Sequence, residues 1–418
     1  MNTLESPPSI ASERRAEAVD EAEQVFLYFG NDWFAENRTS SHHIAEWLAR
    51  RHRVYYIECP GLRAPKGTGR DLKKIWAKLW RFALGARTVS ANLKVRTLFQ
   101  VPLHRFAIIR HFNRFFVTAT LRWLTWREGI RRPIAWFMIP HLAGVLGRLQ
   151  EEMSVYYCID DYAALPDVDA AAVQAMDEEM TRRADLVFVA SDTLLEPKRR
   201  LNAETRLSPH GVDVAHFARA LDDATAAPAE LAGYRRPLIG FFGLIERWID
   251  LDLIDYLAGL RPDWSFLLIG RLAVPADRVQ RRPNVHFLGK RPYADLPSYG
   301  RQFDAAIIPY RLTRQVLHAN PIKLREYLAM GKPIVSVRTP EIEKYADVVE
   351  IADTAEEFLA KLDVVLGRPE SEADVRCRTA RVAAESWDAR LNMVLEVVRS
   401  HLPSSHASIE PSTELRTP

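Results

Sequence analysis

Two successive alternations of strand and helix patterns constrain this 418-residue chain more than any other feature. Short apolar runs rich in β-branched and aromatic residues occur at Val25–Phe29, Val54–Ile57, Ile134–Ile139, Val155–Ile159 and Leu186–Ala190. Their length and composition predict buried strands, and the helical pattern over Ser41–Arg50 places Ile44, Ala45 and Leu48 on one face. Strands alternating with helices predict a parallel, doubly wound sheet. The alternation then resumes, with strands at Leu238–Phe242, Ser265–Ile269, Val285–Leu288, Ala305–Pro309 and Ile334–Val337 and helices at Ile249–Leu260, Tyr293–Gly300 and Pro321–Met330. Two such sheets in tandem create a cleft beyond the carboxyl ends of their strands, where open α/β sheets bind ligands. The chain thus divides into a loose lead-in over 1–23, a first domain over 24–217, a linker over 218–236, a second domain over 237–385, a further helix over 386–402 and a loose tail over 403–418.

Charge is unevenly spread. Residues 63–132 hold 17 of the 57 Lys and Arg but only Asp71 and Glu128 of the 54 acids, a local balance of +15 against −12 elsewhere. Within this basic insertion Ile75, Trp76, Leu79 and Trp80 fall at helical spacing among Lys73, Lys74, Lys78 and Arg81, an amphipathic pattern. Such asymmetry implies an anionic partner, nucleic acid or an acidic membrane surface. Trp76, Trp80, Trp123 and Trp126, with Phe112, Phe115 and Phe116, favour the bilayer interface. No run is apolar enough to span a bilayer, because the longest uncharged stretch, Pro133–Gly147, is short and broken by Pro140. The lead-in has no apolar core of a signal peptide. Cys59, Cys158 and Cys377 are far apart, which argues against a disulfide framework or a zinc site and fits a reducing compartment.

The most specific segment is Asn320-Pro321-Ile322-Lys323-Leu324-Arg325-Glu326-Tyr327-Leu328-Ala329-Met330-Gly331-Lys332-Pro333-Ile334-Val335. Asn320 suits a helix N-cap, Pro321 the first turn, and Gly331 the end. Lys323 and Glu326 share one side of the helix. An early lysine at a helix N-terminus favours a phosphate, and a glutamate one turn later can accept hydrogen bonds from a ribose diol; on spacing alone a solvated surface pair fits equally. In the first domain the strand ending at Ile159 runs into Asp160 and Asp161, either a general base on an acceptor hydroxyl or a turn aspartate. Asn31, Asp32 and Trp33 after the first strand and His141 after Pro140 also lie at strand carboxyl ends. Asp167-Val168-Asp169 is a weak match to a DxD metal motif, and no obligatory metal is expected.

The block from Asn320 to Val335, together with Ser208-Pro209-His210-Gly211-Val212-Asp213, Phe241-Phe242-Gly243, Asn284-Val285-His286-Phe287-Leu288-Gly289, Asp304-Ala305-Ala306-Ile307-Ile308-Pro309-Tyr310 and Ser386-Trp387, resembles the GT-B glycosyltransferases, especially the family 4-like bacterial enzymes of surface-polysaccharide assembly. The resemblance implies an α/β fold of two Rossmann-like domains facing a cleft, with the C-terminal helix returning to the first. It implies a nucleoside-diphosphate sugar donor, UDP or GDP, on the second domain and a lipid-linked or polysaccharide acceptor on the first, with no obligatory cofactor. The donor-site candidates are Gly243, Arg247, Asn320, Pro321, Ile322, Lys323, Glu326 and His318; the catalytic candidates are Asp160, Asp161 and His141. Many family 4 enzymes carry two glutamates separated by seven residues, the second matching Glu326; here the first position is His318. Resemblance to the inverting glucuronosyltransferase of xanthan assembly favours the base role for Asp160 or Asp161.

The expected setting is cytoplasmic, peripheral on the inner face of the cell membrane, with no nucleic-acid partner. Readings of other classes are a nucleotide-sugar 2-epimerase on the same scaffold and a non-enzymatic nucleic-acid-binding protein using the basic insertion. A nicotinamide enzyme is disfavoured, because Gly67-Thr68-Gly69 follows no strand pattern and lacks a third glycine.

Overall fold

Strands buried on both faces need no polar side, and the apolar runs form such strands. The computed structural model describes residues 23–34, 38–59, 76, 80–82, 85–101 and 106–403. Strands β1 (Val25–Gly30), β2 (Arg53–Glu58), β3 (Arg87–Ser90), β4 (Leu93–Thr97), β5 (Ile134–Phe137), β6 (Met153–Cys158), β7 (Leu186–Val189) and β8 (Thr205–Leu207) form one sheet in the order β3-β4-β2-β1-β5-β6-β7-β8. Only the β3–β4 pair is antiparallel. A second, parallel sheet takes β9 (Leu238–Phe242), β10 (Ser265–Ile269), β11 (Val285–Gly289), β12 (Ala305–Ile308), β13 (Ile334–Val337) and β14 (Glu350–Ala352) in the order β11-β10-β9-β12-β13-β14. In each sheet the chain leaves the central strand in one direction and returns on its other side, so the strand order reverses between β1 and β5 and between β9 and β12. Ligands bind at such reversals, beyond the strand carboxyl ends.

Helices cover both faces of the first sheet. Helix α1 (Ser40–Leu48) packs on one face; α2 (Ala107–Arg127) and α3 (Ala170–Arg183) pack on the other, through Val117, Leu121, Leu124, Val173 and Met180. The second domain contributes α4 (Arg314–His318) and α5 (Ile322–Ala329) to the cleft. The last helix, α6 (Trp387–His401), leaves the second domain and buries Trp387, Leu391, Val394, Leu395 and Val398 in the first domain's core beside Ile44 and Leu48. Its start is fixed by the Trp47 indole donating to Asp388 at 2.6 Å and by Val212 N–H donating to the Glu385 carbonyl at 3.0 Å. The two chain crossings between domains therefore run side by side. Residues 218–236 pack on the second domain, with Ala220 and Leu231 in its core.

The basic stretch needs correcting. It is not one amphipathic insertion over 63–132, because Arg87–Ser90 and Leu93–Thr97 extend the first sheet. Leu93, Val95 and Thr97 are buried while Lys94 and Arg96 between them are not; this period of two is that of a strand, and the density of bases obscured it. Strands β8 and β14 were also missed, being three residues each. Residues 1–22, Lys73, Lys74, Lys78, the glycines at 67 and 69, and the tail from 404 lie outside the described residues. Trp76 and Trp80 lie within them, stacked with ring centres 5.9 Å apart and both exposed.

Because α6 crosses between domains to bury its apolar face, truncating it should destabilise the first domain. Leu391→Ala should cost about 2–5 kcal/mol in urea denaturation. A loss below about 1 kcal/mol would mean that the helix does not hold the domain together.

Candidate functional site

On the second domain the site starts at two glycines. Gly243 follows β9 at φ +146° and Gly270 follows β10 at φ +148°. A Cβ on Gly270 would meet the Gly243 carbonyl oxygen at 1.8 Å, and one on Gly243 would meet Lys323 Cε at 2.0 Å. Only residues without side chains let the two loops and the lysine converge. Lys323 sits in the first turn of α5 with its ammonium 6.0 Å from the centre of the Phe241 ring. Glu326 follows one turn later. Neither side chain makes a hydrogen bond or ion pair among the described residues, and burial weakens both charges. It lowers the Lys323 pKa and raises that of Glu326 to about 7, against the pull of the lysine. A partnerless ammonium at a helix start favours an anion, and a partnerless carboxyl one turn on favours hydroxyl donors.

Across the cleft, β6 ends in Asp160 and Asp161, which the second domain treats differently. Arg314 of α4 donates to Asp161 at 2.7 Å, and His318 Nε2 lies 4.0 Å from the same oxygen. Asp160 accepts a long contact from the Gln315 carboxamide at 3.4 Å, and its buried Oδ1 has no close hydrogen-bond partner. Burial pushes its pKa up to about 7. The structure therefore separates two carboxylates that sequence left equivalent: one is engaged by an arginine, the other is desolvated and free on one side. The Ser191 hydroxyl donates to the His318 carbonyl at 2.7 Å, holding α4 against the first domain.

The other expected residues are dispersed. Asn320 is not an N-cap: Pro321 occupies that position, and the Asn320 side chain is drawn into a buried network. Its Oδ1 accepts from Arg325 at 2.8 Å and from His210 N–H at 3.3 Å, and its Nδ2 donates to Glu341 at 2.5 Å. Ile322 packs against the first domain's core. Arg247 reaches across the cleft to Asp167 at 3.5 Å. His141 lines a cavity with α2. Asn31 accepts the Tyr56 hydroxyl through its carbonyl at 2.8 Å, Asp32 accepts Phe34 N–H at 3.0 Å, and Trp33 packs edge-on against Tyr56. Asp169 caps α3 through Ala172 N–H. Among the described residues no three His, Cys, Asp or Glu side chains gather as a metal-ion site.

Three contributors escaped the sequence reading. Gly270 ends an apolar strand just as Gly243 does, and that parallel was a usable signal. Arg314 and Gln315 had none, because their significance arises only when α4 meets the loop after β6.

Residues 236–367, most of the second domain, match the family described as Glycosyl transferases group 1. Over 381 residues, 86% of this chain and 92% of the other, the sequence is 24% identical to TuaH of Bacillus subtilis (strain 168), a candidate teichuronic acid biosynthesis glycosyltransferase. The fold matches the UDP-forming α,α-trehalose-phosphate synthase of Burkholderia vietnamiensis at a TM-score of 0.65 and 12% identity, covering 92% of this chain and 99% of that one. It also matches a trehalose-6-phosphate protein from E. coli bound with UDP-2-fluoro glucose, at a TM-score of 0.61 and 11% identity, covering 90% and 99%. The chain is a glycosyltransferase of the GT-B fold. In this transferase the two-sheet architecture and the returning helix read from sequence are present.

The raised pKa of Asp160 has a consequence for stability. Its carboxyl binds a proton more tightly folded than unfolded, so the contribution of Asp160 to stability falls as pH rises from the ordinary 3.8 to about 7 and is level above that. The melting temperature of Asp160→Asn minus that of the wild type should therefore climb across this window and plateau beyond it. A pH-independent difference would show that Asp160 ionises normally.

Proposed function

We propose that this glycosyltransferase moves a sugar from a nucleoside-diphosphate sugar, UDP or GDP, to a lipid-linked or polysaccharide acceptor in cell-surface glycan synthesis. The observation that carries the donor half is the partnerless Lys323–Glu326 pair, on a helix that starts against two glycines at the strand reversal of the second sheet. Lys323 and the free N–H groups of α5 hold the diphosphate, and Glu326 holds the ribose diol. The family match over the second domain and the UDP-2-fluoro glucose bound by the E. coli protein support a nucleotide-sugar donor. The similarity to TuaH supports a surface-polysaccharide acceptor.

Asp160 is the base of an inverting displacement. The acceptor hydroxyl gives its proton to the Asp160 carboxylate as its oxygen attacks the anomeric carbon. The bond from that carbon to the phosphate oxygen breaks, and the nucleoside diphosphate leaves with the electron pair, its charge met by Lys323. A base with a pKa near the working pH is matched to this task. Asp161, held by Arg314, positions the loop.

The acceptor side faces a membrane. Helix α2 exposes Ile108, Phe112, Phe115 and Trp126 among Arg110, Arg114, Arg122 and Arg127, a surface suited to the headgroup boundary of an anionic leaflet. No helix among the described residues is long and apolar enough to cross a bilayer. Peripheral attachment on the cytoplasmic leaflet is the reading supported by the exposed aromatic and basic surface of α2.

Calorimetry should show Lys323→Ala and Glu326→Ala each weakening nucleoside-diphosphate binding by about ten- to a hundredfold, the loss of one charged hydrogen bond. Wild-type affinity in Glu326→Ala would sink the donor assignment. Asp160→Asn should lower kcat by roughly 100-fold with donor affinity unchanged, and NMR of the product should show an inverted anomeric centre. Retention of configuration would remove the base role.

A further inference from the structure

The Ala107–Arg127 helix and the Pro140–Val145 turn line a cavity of about 150 Å³ that opens to solvent beside the exposed Arg110, His111 and Arg114. Its walls include Gln100, Arg110, His111, Arg114 and His141. The one acid among its lining residues, Glu179, is paired with Arg183 at 2.8 Å. Gln100 is 6% exposed, and its Oε1 is buried without a hydrogen-bond partner. A carboxamide in that state awaits a hydroxyl or N–H from an occupant. The cavity is also built to keep its shape. The Asn113 side chain accepts from Val101 N–H at 2.9 Å and donates to the Val101 carbonyl at 2.8 Å, clamping the segment that carries Gln100 onto the helix. A Cβ on Gly144 would lie 3.0 Å from Arg114 Cδ, so the glycine leaves room for the arginine stem.

We propose that this cavity is a phosphoryl-binding site that seats the phosphate end of a lipid-linked acceptor. Two arginines and two histidines around a small, solvent-open cavity suit a phosphate monoester or diphosphate, and Gln100 accepts from its hydroxyl or from the first sugar. The apolar part of such a ligand lies along the same helix, where Ile108, Phe112 and Phe115 are exposed. The sugar end is directed by topology: His141 follows β5 and Asp160 follows the neighbouring β6, so phosphate site and base both lie beyond the carboxyl ends of adjacent strands of one sheet. The inference rests on the lipid-linked reading of the acceptor but not on the donor or base assignments.

The test is flotation of the full chain with phosphatidylcholine vesicles containing either phosphatidate, with an exposed phosphomonoester, or phosphatidylglycerol at matched surface charge. The wild type should bind phosphatidate vesicles about tenfold more tightly. Arg110→Gln/Arg114→Gln should abolish that preference, weakening phosphatidate binding about tenfold more than phosphatidylglycerol binding, with donor-nucleotide affinity unchanged, which shows the variant to be folded. Equal binding of both vesicles by the wild type, or equal weakening of both by the variant, overturns the site and leaves general surface attraction. Failure of the wild type to float with either vesicle overturns the lipid part. In that case calorimetry with inorganic phosphate on Lys323→Ala, whose donor site is disabled, decides the remainder: binding abolished by Arg110→Gln/Arg114→Gln assigns the cavity to a soluble phosphorylated ligand, and no binding removes the site altogether.

Discussion

The carboxamide of Asn320 is the point on which the two domains and the cleft depend. It joins Arg325 in α5, Glu341, and the backbone of His210 on the chain crossing between domains. Arg325, itself buried, donates onward to Glu385 at 2.6 Å, beside the second crossing, and Glu385 also accepts the Tyr345 hydroxyl at 2.7 Å. His210 contributes only backbone to Asn320; its ring is kept neutral by burial, with its pKa lowered to about 3. Polar groups buried in such a network are costly unless satisfied, and once satisfied they specify a single arrangement. Here the arrangement sets where α5 begins, and so where Lys323 and Glu326 point.

The cleft itself shows the opposite economy. Lys323, Glu326 and the buried Oδ1 of Asp160 are desolvated with no hydrogen bond from the protein, and the mutual attraction of Lys323 and Glu326 offsets only part of that cost, so each opposes folding. On the proposed reading the substrates supply what is absent: diphosphate to the ammonium, diol to the glutamate, an acceptor hydroxyl to the aspartate. A site preorganised in this way does not need to break existing ion pairs when ligand enters. The contrast with Asp161, engaged by Arg314, is the physical basis for giving the two neighbouring aspartates different roles.

Much of this was legible before any coordinates. The period of the apolar runs marked the central strands of both sheets, and the Lys323–Glu326 spacing put both groups on one side of one helix, because these are local properties of a chain with fixed rise and twist. The strands on the β3–β4 side of the first sheet were less legible. Leu93–Thr97 carries the period of two, but its outward positions are Lys94 and Arg96, so it read as part of a basic tract.

Sequence by itself determined the α/β class, the two-domain plan, the basic and aromatic character of 63–132, and the identity of the most chemically specific helix. Tertiary structure alone decided that Asn320 is a strut rather than a cap, that His141 faces a cavity with α2, and that Asp160 rather than Asp161 is left unpaired. Each of these depends on residues far apart in the chain, Asp161 with Arg314 and Asn320 with Glu341. Local pattern sets which face of an element is apolar; which polar groups find partners is settled only when distant segments pack and exclude water.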